Sequence, residues 1–234
     1  GVDVKVAAVV LTYRAVSTGR VGLLRSCVES LREADYLQVV DNGSTDGTRE
    51  LVKEWGGVSH DAPIHTSGHG NNLAARVARG SGADLYVFSD DDMYWRPGWR
   101  ERLEAWWSEA PADLAMTGCH IEPDFWWNKI TDRVVCGGVP GLVRSSTGGA
   151  SWSMPADRFD VFFGPCGIWQ QNQGYGDVMA CDRVYGRGYR IGQIDLATHK
   201  GQGMSTWGNA TETKYGWNVD PVMALLGGDD GNHS

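Results

Sequence analysis

The chain has 234 residues, 41% hydrophobic and 21% charged, enough to bury the core of a single soluble globular unit. Lys and Arg number 21 against 29 Asp and Glu, so the formal charge of −8 disfavours the broad basic surface that binding to a nucleic-acid backbone needs. No apolar run reaches the length of a membrane span, and no basic-then-apolar leader opens the sequence.

Five scattered cysteines, Cys27, Cys119, Cys136, Cys166 and Cys181, form no Cys-x-x-Cys pair of the zinc or redox kind. Reduced thiols in a cytoplasmic protein are the expectation. In chain order, VKVAAVVLTY (Val4 to Tyr13) is a nearly continuous apolar run, as in a central parallel strand covered on both faces. Val21, Leu24, Val28 and Leu31 then recur at helical spacing, one buried face of a helix. YLQVVD (Tyr36 to Asp41) reads as the second strand. In NGSTDGTRELVKEW, a turn leads into a helix with Ser44, Thr45 and Asp46 as capping candidates. Asn71 to Arg79 is expected to be helical, and DLYVFS (Asp84 to Ser89) to be another strand. This β-α-β-α alternation predicts an α/β fold with a mostly parallel sheet and right-handed crossovers.

Ligands of open α/β sheets bind beyond the carboxyl ends of the strands. Asp41 falls at one such end and Asp90, Asp91 and Asp92 at another. Three adjacent carboxylates repel one another unless a positive charge sits among them. A hard divalent cation, Mg²⁺ or Mn²⁺, shared with substrate phosphates would supply it. The alternative is an acidic turn at the start of the helix that follows Pro97.

The segments VVLTYR, VVDNGSTDGT, GNNLAARVARG and VFSDDDMYWRPGW, in this order and spacing, resemble the nucleotide-sugar-binding half of family 2 glycosyltransferases. Those enzymes have the GT-A fold. Further on, GYGDVMACDRVYGRGYRI resembles their segment with a catalytic acidic residue and a helical arginine. The resemblance covers residues 4–100 well and 174–200 moderately. It implies a single GT-A domain, a Rossmann-like sheet flanked by helices. Residues 1–118 would be the nucleotide-sugar half, 119–226 a smaller, irregular acceptor and catalytic half, and 227–234 a flexible tail. The activity implied is metal-dependent, inverting transfer of a hexose from a nucleotide diphosphate sugar, UDP most commonly, to an acceptor hydroxyl.

Carried onto this sequence, the resemblance places Thr12, Tyr13 and Arg14 beside the nucleotide base and Asp41 on the base or ribose. Asn72 and Arg76 face the donor, although an ordinary polar helix surface accounts equally for Arg76. Asp90 lies near the ribose and Asp92 is the metal ligand, with Asp91 sharing either task. Register within the triplet is ambiguous by one residue. His199 completes the metal shell, a reading that stands beside that of an exposed loop histidine. Asp177 is the general base, with Asp182 in reserve; family members usually have Glu-Asp where this chain has Gly176-Asp177, and a helix cap is the alternative. Lys200, before a glycine-rich stretch, could meet a phosphate.

The segment from Cys119 to Gln173 carries the acceptor side. Gly149 and Ala150 enter a strand beside the sugar, while Trp126, Trp127, Trp152 and Trp169 are candidates to stack on sugar rings. Trp99 and Trp106 are spaced for a core. The acceptor is open among saccharides, lipid-linked sugars, metabolites, proteins and modified nucleic acid. Two other function classes remain. A sugar nucleotidyltransferase should carry a basic, glycine-rich phosphate loop after the first strand, which TYRAVSTGR matches poorly; a non-catalytic carbohydrate-binding module would need the tryptophans but no nucleotide site.

Overall fold

A computed structural model of the chain describes residues 4–60, 67–121, 129–163 and 176–200. All of these lie in one compact unit, Gly1–Gly201. At its centre is β1 (Val6–Thr12), whose seven residues are all buried, as the unbroken apolar run requires. On one side β1 pairs in parallel with β2 (Tyr36–Asp41), which pairs with the short β3 (Val58–Ser59). On the other side it pairs in parallel with β4 (Leu85–Asp90). Thr12 is opposite Asp41, and Leu11 is opposite Asp90. The three strands therefore end almost level, and Asp41 and Asp90 share one edge, two strand spacings or about 10 Å apart.

Beyond β4 the sheet stops being parallel. β9 (Ser151–Pro155) runs antiparallel between β4 and β6 (Leu114–Gly118), and β10 (Arg190–Ile194) is parallel to β6. The hairpin of β7 (Ile130–Cys136) and β8 (Val139–Arg144) completes a nine-stranded sheet ordered β3-β2-β1-β4-β9-β6-β10-β8-β7. Its two-residue turn, Gly137-Gly138, has φ of 54° and 73°, which glycine adopts without a Cβ clash. A separate ribbon pairs β5 (Met93–Trp95) antiparallel with β11 (Ala197–His199).

Among the described residues six helices flank the sheets: α1 (Val21–Ser30), α2 (Thr48–Glu54), α3 (Ser67–Gly80), α4 (Trp99–Glu109), α5 (Ala156–Phe163) and α6 (Gly176–Tyr185). Leu24 and Cys27 of α1 and Trp99, Leu103 and Trp106 of α4 pack with Val6, Ala8, Val10, Leu85 and Val87 on one face of the sheet. Tyr86 and Phe88 point to the other face and meet Phe159 of α5. Strand hydroxyls on the α4 side serve the indoles: Trp95, Trp106 and Trp107 each donate Nε1–H to Ser89, Thr117 or Ser153 at 3.0 Å.

One capping expectation holds only for Asp46, and the other fails. Helix α2 begins after Gly47, at φ 91°, and Ser44 turns back to Asp41; only Asp46 serves the helix, accepting the Thr48 N–H at 3.2 Å. The aspartate triplet does not cap the helix after Pro97. Instead β5 intervenes, and the N–H of Gly98 at the start of α4 is bound by Glu33 at 3.0 Å.

Candidate active site

The candidate site forms where β1, β2 and β4 end. Asp41 is fully buried and closes the turn that follows its own strand. Its carboxylate accepts the Ser44 N–H at 3.0 Å, the Ser44 hydroxyl, and the Ser59 hydroxyl at 2.7 Å. Ser44 Oγ in turn accepts the Arg14 N–H at 2.8 Å. The expectation that Asp41 offers an oxygen to a base is corrected accordingly: it shapes the loop that would do so. Arg14 has φ 54°, the left-handed region that a non-glycine residue occupies at a cost, as binding loops often do.

The loop after β1 is sewn to the loop after β2. Val16 N–H donates to Thr48 Oγ1 at 3.0 Å and Ser17 N–H to Asp46 at 2.7 Å. Thr12 is corrected in the same way as Asp41. It is fully buried, and its hydroxyl donates to Asp91 at 2.5 Å instead of facing a ligand. Tyr13 is buried and Arg14 half-buried, while on α3 Asn72 is buried and Arg76 exposed.

The three aspartates part ways. Asp90 ends β4, partly exposed, and donates its N–H to the Ala150 carbonyl at 2.7 Å; this brings Gly149 and Ala150, just ahead of β9, against the edge of the site. Asp91 points inward with no exposed surface. Besides Thr12, it is met by the Arg20 guanidinium at 2.6 Å. Burial pushes the Asp91 carboxyl up to about 6, against the opposing pull of Arg20 and the Thr12 hydroxyl. Its expected share in ligand contact is therefore not what the structure gives, because both of its oxygens are spent inside the protein.

Asp92 differs from both neighbours. Its Oδ1 is buried without a hydrogen-bond partner, and His199 Nε2 lies 3.4 Å from it. The β5–β11 ribbon makes this pair, setting His199 opposite Met93 and joining Lys200 N–H to the Asp92 carbonyl at 2.7 Å. A buried carboxylate oxygen that accepts no hydrogen bond and faces an imidazole nitrogen only at ion-pair distance is a costly arrangement, which a cation held between the two would relieve. Two donors each about 2.1 Å from one ion stand roughly 3.0–3.5 Å apart at octahedral or tetrahedral angles, so the pair fits a divalent cation. Among the described residues no group of three His, Cys, Asp or Glu side chains is placed to hold an ion. Lys200 Nζ sits 5.2 Å over the Tyr94 ring, on the same ribbon.

Trp152 is corrected: it is 2% exposed, stacked on Phe88 with centroids 4.3 Å apart, and belongs to the core between β9 and α5. Trp126, Trp127 and Trp169 lie outside the described residues, as does the Asp177 side chain, although its backbone starts α6. Asp182 is exposed on that helix. Sequence reasoning missed three members of the neighbourhood. Arg20 sits at the positive end of α1, where an arginine is unfavourable unless a carboxylate faces it, and this was the readable signal. Ser59 gave no signal, since it reaches Asp41 from β3, whereas Ser44, three residues after Asp41 in the same turn, was read only as a helix cap.

Residues 8–149 match the sequence model of glycosyl transferase family 2. No curated protein sequence matches the chain. Among solved structures, S. aureus TarS 1-349 in complex with UDP-GlcNAc is similar at 14% identity and a TM-score of 0.60, over 87% of this chain and 60% of that one. The mannosyltransferase PcManGT from Pyrobaculum calidifontis, in complex with GDP-Man and Mn²⁺, is similar at 20% identity and a TM-score of 0.55, over 82% and 54%. The chain thus spans little more than half the length of these structures. At these identities the likeness is one of fold, the GT-A glycosyltransferase fold.

Proposed function

The chain belongs to glycosyl transferase family 2, and from that premise we propose that it moves a sugar from a nucleotide diphosphate donor to an acceptor hydroxyl with inversion at the sugar carbon. A UDP-sugar is the first donor to try, and a GDP-sugar the second. The observation that carries this reading is the unsatisfied, buried Asp92 Oδ1 facing His199 Nε2 at the carboxyl edge of the sheet. Asp92 and His199 would hold Mn²⁺ or Mg²⁺. When bound, the ion would act as a Lewis acid that offsets the charge of the departing diphosphate.

The remaining work falls to the chain. Arg14 and Asn72 line the nucleotide side and Asp90 the ribose, with Arg76 at the outer rim. Gly149 and Ala150, small and joined to Asp90 through the Ala150 carbonyl, leave room for the sugar. Asp177 at the start of α6 accepts the proton of the acceptor hydroxyl as its oxygen bonds to the sugar carbon and the bond to the diphosphate breaks. Trp169 would help hold the acceptor, whose class is a saccharide or other hydroxyl compound.

Release of nucleotide diphosphate from UDP- and GDP-sugars, with a panel of saccharide acceptors, tests the reading. Asp177→Asn should bind donor as the wild type does yet transfer about 10²–10⁴-fold more slowly. Full transfer by that variant would remove Asp177 from its role and turn attention to Asp182.

A further inference from the structure

We propose that Arg20 is a positioning residue that ties the nucleotide-side loop to the aspartate turn, so that the two halves of the donor site are held as one unit; this rests on the donor-site reading given above. The Arg20 side chain is 10% exposed, and its guanidinium reaches three acceptors. Nη1 donates to Asp91 Oδ1 at 2.6 Å, Nη2 to the Tyr13 carbonyl at 2.7 Å and Nε to Thr18 Oγ1 at 3.0 Å. Thr18 passes the connection on, donating its hydroxyl to the Arg14 carbonyl at 2.7 Å. The backbone N–H of Arg20 donates to the Ala15 carbonyl at 2.7 Å, which closes the loop on itself.

Each end of this tie touches one half of the site. At one end are Tyr13 and Arg14, the latter held at φ 54° with its N–H on Ser44. At the other end Asp91 is flanked in sequence by Asp90 and Asp92 and anchored to β1 through the Thr12 hydroxyl. A carboxylate between two ligand-facing aspartates is thus used to fix their direction. Helix stability does not explain the arginine, because a cation at the N-terminus of α1 opposes the helix dipole. The planar fork does explain it: a guanidinium can span a carboxylate and a carbonyl at once, whereas a lysine brings a single ammonium point.

The tie predicts a specific defect. A monophosphate such as UMP reads the nucleotide side, Mn²⁺-pyrophosphate reads the aspartate side, and UDP with Mn²⁺ needs both at the right separation. In Arg20→Lys, which keeps the charge beside Asp91, and in Arg20→Gln, calorimetry should show UMP and Mn²⁺-pyrophosphate within about threefold of wild type. UDP should weaken about tenfold or more, since linked sites lose affinity when their spacing loosens. Trypsin cleavage after Arg14, read by mass spectrometry on the folded protein, should also speed up in both variants. Unchanged UDP affinity in folded Arg20→Lys overturns the proposal, and so does an equal loss for all three ligands, which is what a general loss of structure produces. Should wild-type protein bind none of the three, the donor-site reading fails, and the Arg14 cleavage rate alone decides the tie: faster cleavage supports it and an unchanged rate overturns it.

Discussion

At the scale of single residues, Asp92 and Trp152 make opposite predictions. The Asp92 Oδ1 has no hydrogen bond to lose, so Asp92→Ala should keep its Tm within about 3 °C of wild type, the shift that ~1 kcal/mol gives in a chain of this size. Metal-dependent nucleotide binding should vanish in the same variant. Trp152 is stacked among Phe88, Phe159 and Phe163. Trp152→Ala should therefore cost about 3–5 kcal/mol in urea unfolding, and it should leave nucleotide affinity unchanged wherever the variant is folded. Affinity lost without stability would return Trp152 to the ligand side. The positions of Asp92 and His199 were legible, at the end of one expected strand and just after another, and the ribbon sets them 3.4 Å apart. Thr12, Asp41 and Trp152 were not: what occupies each comes from a partner distant in sequence or from a turn, and hydrophobic periodicity reports faces rather than partners.

At the scale of elements, ties between segments set where the strand ends stand. Asp35, just ahead of β2, accepts the Val6 N–H at 2.8 Å at the start of β1 and is paired with Arg100 of α4 at 2.8 Å. The Val6 N–H, with Arg100 beside it, holds the Asp35 carboxyl below its ordinary value of 3.8. A depressed carboxylate adds stability that is complete above the unfolded value and is lost as pH falls through the folded one. Asp35→Asn should thus be less stable than wild type at neutral pH, and the two urea midpoints should converge below pH 3.8. Parallel curves would remove Asp35 from this role. Gly118 ends β6 where a Cβ would stand 1.9 Å from Thr147 Oγ1. Gly118→Ala should cost about 1–3 kcal/mol by overpacking, and adding Thr147→Ala should recover part of it.

At the scale of the whole molecule, the sequence legibly encodes the first half. β1, β2 and β4 are apolar runs separated by amphipathic helices, a local pattern that implies parallel pairing without any knowledge of distant partners. In the second half β9 and β8 run against their neighbours. Their place depends on long-range pairing, such as Trp152 beside Phe88, which no local period encodes. The tryptophans also change meaning at this scale. Trp95, Trp99, Trp106 and Trp152 are buried, so these four support a packed enzyme core and not a sugar-binding face. Arg20, one of the two basic residues in the stretch where a nucleotidyltransferase would carry its phosphate loop, is instead spent on Asp91. Among the described residues the parallel strands β1, β2 and β4 end at one edge of the sheet, with Asp92 and His199 brought together there by a ribbon whose two strands are far apart in sequence. The most direct test is calorimetric titration of UDP and GDP into wild type and Asp92→Ala, each with Mn²⁺ and with chelator. Binding of one diphosphate that requires Mn²⁺ and disappears in Asp92→Ala is the predicted result; binding that survives chelator or the substitution would contradict it.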